Sequence, residues 1–121
     1  MDTIEGNLLN KALALEPTLT GFGINSKGKY EDDTIPLEEF IACLDWLAMQ
    51  KQGNEINTML TSYTLKHCVE EWFEERNKYH KYISNGAMIA AIIAKGLPYK
   101  KYKDNPNVSS TIYFERSDDD E

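Results

Sequence analysis

Few side chains in this chain could do acid–base, nucleophilic or metal chemistry, and their spacing does not favour it. His67 stands beside Cys68 and four positions before Glu71. On a helix His67 and Glu71 share a face while Cys68 points elsewhere, so no thiolate–imidazole pair is set up. His80 follows in a polar stretch, away from both. Zinc chemistry asks for an H-E-x-x-H or paired C-x-x-C spacing, and neither occurs. A glycine-rich phosphate loop, a nucleophile elbow and a close pair of catalytic acids are also missing. The reading is of a non-enzyme with no metal and no cofactor. Cys43 and Cys68 each sit in an apolar helical pattern and read as small buried thiols, with a disulfide between them left open.

Binding chemistry is better represented. Lys100, Lys101 and Lys103 alternate with Tyr99 and Tyr102, which could set ammonium groups on phosphates and rings on bases. Lys81 and Lys95, with Arg76 and Lys78, could extend that patch. The same lysines also suit an edge strand protected against aggregation. A helix over residues 85–95 has a different character. With Met88, Ile89, Ile92 and Ile93 turned inward, its other face consists of Asn85, Gly86, Ala87, Ala90, Ala91 and Ala94. A helix that reads DNA offers long polar side chains to base edges. This one offers almost none, so the expectation is a smooth face, Asn85, Gly86, Ala87, Ala90 and Ala94, that meets a partner protein or a second copy of the chain. The competing expectation is that the N-terminal segment of the same chain covers it.

The elements that would position these groups follow from periodicity and punctuation. Leu8, Leu9, Ala12, Leu13 and Leu15 form a short amphipathic helix stopped by Pro17. Residues 18–33 are rich in Gly, Asn and Ser and read as a loop, with an extended stretch near Phe22 and Ile24. Asp33 or Thr34 is expected to cap a helix carrying Leu37, Phe40, Ile41, Leu44, Leu47 and Ala48 inward, with Gly53 at its end. Thr61 or Ser62 caps the next helix. There Leu65, Cys68, Val69, Trp72 and Phe73 face the core, and Lys66 pairs with Glu70 on the outside. Ser84 caps the last helix, Ile83 serves as its hydrophobic staple and Gly96 terminates it. Tyr99–Lys103 and Val108–Phe114 then read as two strands around the turn Asp104-Asn105-Pro106-Asn107, the second alternating between faces. The fold class is mostly helical α+β: a winged helix-turn-helix-like arrangement of three or four helices and a C-terminal β-hairpin. The organisation is an N-terminal segment over 1–33, a domain over 34–116 and an acidic tail over 117–121.

At 121 residues, 41% hydrophobic and 27% charged, the chain fits one globular domain. No apolar run reaches the ~20 residues of a membrane span. The N-terminus lacks a secretory signal's charged start and apolar centre, so a cytoplasmic address is expected. The net charge of −7 is unevenly spread. Residues 1–59 hold ten acidic side chains against four basic ones, residues 60–116 nine basic against six acidic, and the tail four acidic ones. Phosphate backbones are repelled by such a front and tail, and a basic protein surface is attracted.

Two stretches carry a resemblance, Ser62-Tyr63-Thr64-Leu65-Lys66-His67 and Tyr82-Ile83-Ser84-Asn85-Gly86. They are similar to stretches in small uncharacterised proteins of bacterial mobile elements. From Ser62 onward, Leu65, Trp72, Ser84, Ala91 and Gly96-Leu97 also resemble the winged-helix domain that ends many phage and plasmid primase-helicases. The resemblance covers under half of the chain. It implies a phage or mobile-element setting and supplies no activity. Together with the charge it leads to a first expectation, a binding protein that engages a host protein, such as an inhibitor of a nucleic-acid-handling defence complex in the manner of an anti-CRISPR protein. The second is a winged-helix regulator or replication accessory factor that binds DNA or RNA through the lysine-rich hairpin.

Overall fold

The computed structural model describes residues 3–26 and 34–113. Within them the chain is α+β, with four helices and short antiparallel strands: α1 (Ile4–Leu15), α2 (Leu37–Leu47), β1 (Lys51–Gln52), α3 (Ser62–Asn77), α4 (Asn85–Ala94), β2 (Tyr99–Lys101), β3 (Val108–Ser110) and β4 (Ile112–Tyr113). β2 pairs with β3, and β4 pairs with β1. Because only Thr111 separates β3 from β4, one ribbon is shared by a strand from before α3 and a strand from after α4.

The centre of the molecule is α4, which packs against α1, α2 and α3. Nine of its ten residues, Asn85 through Ile93, are buried. A helix that is apolar all round must be covered all round. Met88, Ile89 and Ile92 are fully enclosed, and so are Ala87, Ala90 and Ala91, each at 0% exposure. The outward small-residue face expected of Asn85, Gly86, Ala87, Ala90 and Ala94 is therefore corrected: only Ala94 keeps partial exposure. The cover is the chain's own front end, since Leu9, Ala12, Leu19 and Ile24 join the same buried cluster.

Gly86 explains how close that cover comes. Its amide donates to the Gly21 carbonyl at 3.0 Å. A Cβ at Gly86 would fall 1.8 Å from the Thr20 carbonyl oxygen, so no other residue fits without moving the loop. The loop holds its own shape, with paired bonds between Thr20 and Gly23, the Ser26 amide on the Thr18 carbonyl, and a Thr20–Ser26 hydroxyl contact. It is also tied to the hairpin turn, because Ile24 donates to the Pro106 carbonyl at 2.9 Å.

Several element ends follow the expected chemistry. Ser84 Oγ accepts from the Ala87 amide at 3.1 Å, Ile83 is fully buried, and Gly96 takes the left-handed conformation at φ +74°. Others differ. α2 starts at Leu37 with Pro36 as its N-cap and no side-chain capping bond, so Thr34 does not cap it, and Asp33 lies outside the described residues. α2 stops at Leu47, six residues before Gly53, and the intervening β1 had no sequence signal beyond two polar residues. The second hairpin strand does not alternate: Val108 through Ile112 are all buried, because α3 lies on one side and Ser109, Ser110 and Thr111 carry short side chains that pack. Its expected end at Phe114 and the tail 117–121 lie outside the described residues.

Overpacking a tight contact costs typically 1–3 kcal/mol and sometimes more. Gly86→Ala is expected to destabilise the chain by about 2–3 kcal/mol in urea denaturation, whereas Gly96→Ala, where a Cβ meets no atom and only φ is strained, is expected to cost about 1 kcal/mol. A neutral Gly86→Ala would show that residues 20–21 do not press on α4.

Candidate binding site at the start of the fourth helix

The polar groups that fix the start of α4 come from α2, α3 and the N-terminal loop. Along α3 the buried positions are Ser62, Leu65, Lys66, Val69 and Glu70, a single stripe with two charges inside it. Lys66 and Glu70 form the expected i,i+4 pair at 3.2 Å, but it is internal rather than on the outside, with side chains 4% and 9% exposed. Glu70 Oε2 also accepts from the Ile83 amide at 2.9 Å, while Oε1 meets His67 Nδ1 at 2.9 Å. His67 is thus paired with Glu70, not with Glu71. On the next residue, the Ser84 amide donates to Glu39 Oε1 of α2 at 2.9 Å.

Helix N-termini attract anions through free amides. Here the amides of Ile83, Ser84, Gly86 and Ala87 are spent on Glu70, Glu39, the Gly21 carbonyl and Ser84 Oγ. Burial alone would raise the Glu70 pKa. The Ile83 amide, His67 and Lys66 together outweigh it and hold the carboxyl below its ordinary value.

Above this cluster lies a cleft of about 380 Å³, walled by Tyr63, Tyr82 and Phe22 and floored by Lys66 and Asn85. The Lys66 ammonium sits 4.5 Å from the Tyr82 ring centre and 5.2 Å from that of Tyr63. Tyr63 also meets His67 edge-on at 4.6 Å. Asn85 Nδ2 donates to Asn107 Oδ1 at 2.9 Å and to the Phe22 carbonyl at 3.3 Å, while its own Oδ1 is closed in without a donor among the described residues. The two stretches singled out by resemblance, 62–67 and 82–86, thus converge on one cleft. Sequence reasoning missed this. The signal was the position of Lys66 and Glu70 directly after Leu65 and Val69, which puts them on the buried stripe.

A larger groove of about 620 Å³ runs between α2 and α3 over Ile41, Trp72 and Phe73. Lys81 belongs to this side: it bonds Glu38 at 2.9 Å, which raises its pKa, and lies over Phe73.

The lysine-rich hairpin is gathered only in part. Tyr99 donates to Glu16 Oε2 at 2.6 Å, and burial with that carboxylate pushes its phenol up to about 12. Lys101 pairs with Glu16 at 3.2 Å. Lys100 lies over the Tyr102 ring at 5.3 Å, and the Tyr102 hydroxyl donates to Ser109 Oγ. Lys95 and Lys103 are exposed at the end of α4 and in the hairpin turn. Glu16 thus ties α1 to the hairpin and neutralises one of its cations. Neither Cys43 nor Cys68 is in a disulfide; the first is fully buried, its thiol pushed up by that burial, and the second is partly buried. Among the described residues no three potential metal ligands gather, and no helix is long and apolar enough to cross a membrane. Compared with protein families, curated proteins and solved structures, the chain matches none.

A carboxyl held below its unfolded pKa contributes stability that is complete above the unfolded value, here 4.5, and is lost as pH falls through the lowered folded one. Glu70→Gln is accordingly expected to flatten the acid limb of the stability–pH curve below that value. Glu70→Ala is expected to cost about 3–5 kcal/mol at neutral pH, because Lys66 is left buried without its counter-ion. An acid limb unchanged in Glu70→Gln would place the acid sensitivity in other carboxylates.

Proposed function

We propose that the chain is a non-enzymatic, winged-helix-like binding domain that engages a protein rather than reading duplex DNA. The order α2, β1, α3, α4, β2, β3–β4, with β1 paired to the last strand, is compatible with a winged helix and supports this reading. In that arrangement α4 stands in the recognition position. The observation that carries the reading is its enclosure: α1 and residues 18–26 occupy the side on which a DNA groove would lie, and the leading amides are already bonded. Major-groove readout needs side chains that reach base edges, and this helix has none to offer.

Charge supports the same choice. A chain of net −7 whose hairpin lysine Lys101 is matched by Glu16 has little field for phosphates. It suits a basic partner surface, for which a nucleic-acid-handling protein of a host is the class the resemblance favours. The reading as an inhibitor of a defence complex rests on that charge and that setting.

Affinity capture from nuclease-treated bacterial lysate is expected to retain one protein specifically, and duplex DNA at ~50 mM salt is expected to bind no tighter than the ~10⁻⁴–10⁻⁶ M of non-specific contacts. Tight duplex binding that falls steeply by ~200 mM salt, and that Lys100→Glu with Lys101→Glu abolishes, would contradict the reading and favour the hairpin as a nucleic-acid site.

A further inference from the structure

The groove between α2 and α3 is open to solvent and floored by Ile41, Trp72 and Phe73, none of them fully covered. Met49 and Tyr79 stand at its edge, 54% and 59% exposed. Aromatic side chains, methionine and arginine are the types that protein interfaces gather, and Arg76 on the wall completes the set. A groove of this composition left in water marks an interaction surface.

The charges on its walls narrow what can cover it. Glu38 and Lys81 bond each other at 2.9 Å, so together they present no net charge. Asp45 on α2 and Arg76 on α3 remain, both exposed and, among the described residues, without an ion pair. The Arg76 guanidinium lies over the Trp72 ring at 5.4 Å, which holds it at the groove without neutralising it. A uniformly basic segment would be repelled by Arg76, and a uniformly acidic one by Asp45. One anion and one cation beside an apolar floor are answered by the same surface turned about a two-fold axis, because such a contact sets residue i on j and j on i. Hollow and protrusion match in the same way. Met49, flexible enough to fill an irregular gap, and Tyr79 project beside the groove that a second copy would offer them.

We infer that the groove between α2 and α3 is a homodimer interface, in which Asp45 of each copy pairs with Arg76 of the other. Two helix pairs then pack face to face, in the manner of a four-helix bundle, and Ile41, Trp72 and Phe73 leave water on both copies. This contact is distinct from the small-residue face of α4, which the fold already buries. It goes beyond the protein-binding reading given above and stands whether or not a host protein is also bound.

The test is sedimentation velocity of the full chain from about 5 μM to about 500 μM, a span that brackets weak and moderate dimers. The wild type is expected to pass from monomer to dimer as concentration rises. Asp45→Arg and Arg76→Asp should each weaken the dimer at least about tenfold, since each sets like charges together twice across the axis. Tm should stay within about 2 °C in both, because both side chains are exposed. An equal mixture of the two variants should dimerise again, because every Asp then faces an Arg. That recovery is one a merely structural defect does not give. A wild type that stays monomeric throughout overturns the inference and leaves the groove to a segment of another protein. A dimer indifferent to both reversals overturns it by placing the contact on another face. A mixture that remains monomeric when each variant alone is monomeric overturns the reciprocal pairing on which it stands.

Discussion

The carboxylate of Glu70 is the point on which the arrangement of the helices depends. Both of its oxygens are used inside the fold: one holds the Ile83 amide and Lys66, the other His67. A buried charge is costly unless it is paired and fully hydrogen-bonded, and this one is. Because the Ile83 amide lies one residue before the cap of α4, the bond fixes where that helix begins relative to α3. Glu39 repeats the device from α2 on the next amide. The start of α4 is therefore set by two carboxylates from two helices, before any of its apolar packing is counted.

That constraint accounts for the composition of α4. A helix pinned at its start between α2 and α3 leaves only its remaining side for α1 and the N-terminal loop, and they come close enough for a backbone oxygen to sit where a Cβ would be. Gly86 and the alanines are the residues that permit such an approach. The same small side chains that look, in the sequence, like an outward surface for a partner are the contact surface for residues 9–24. Glu16 completes the closure by joining the end of α1 to Tyr99 and Lys101 of the hairpin. A domain built this way turns its most apolar helix inward and displays aromatic rings at the cleft beside it.

How much of this was legible depends on the range of the interaction. Local signals were read correctly: the Ser84 cap, the Gly96 terminator and the hairpin turn all act within a few residues, and Ile83 before the cap is buried. The α+β class and the helix order follow from such signals. Non-local ones were not legible. Nothing within α3 says that Glu70 reaches Ile83 thirteen residues on, so an i,i+4 pair that looked like a solvated decoration proved to be internal. The two-residue strand β1 is defined by its partner β4, sixty residues away, and leaves no pattern of its own. The cleft draws on positions 22, 63, 66, 82 and 85, which no window of the sequence contains together.

The account turns on α4 being sealed in by the chain's own front end. Native-state hydrogen exchange as a function of denaturant tests this most directly. If α1 and residues 18–26 are integral to the fold, the amides of α4 exchange only through global unfolding, together with the core of α3. Exchange of α4 through a separate, low-energy opening while α3 remains protected would mean that the cover lifts off and that the helix is available to a ligand after all.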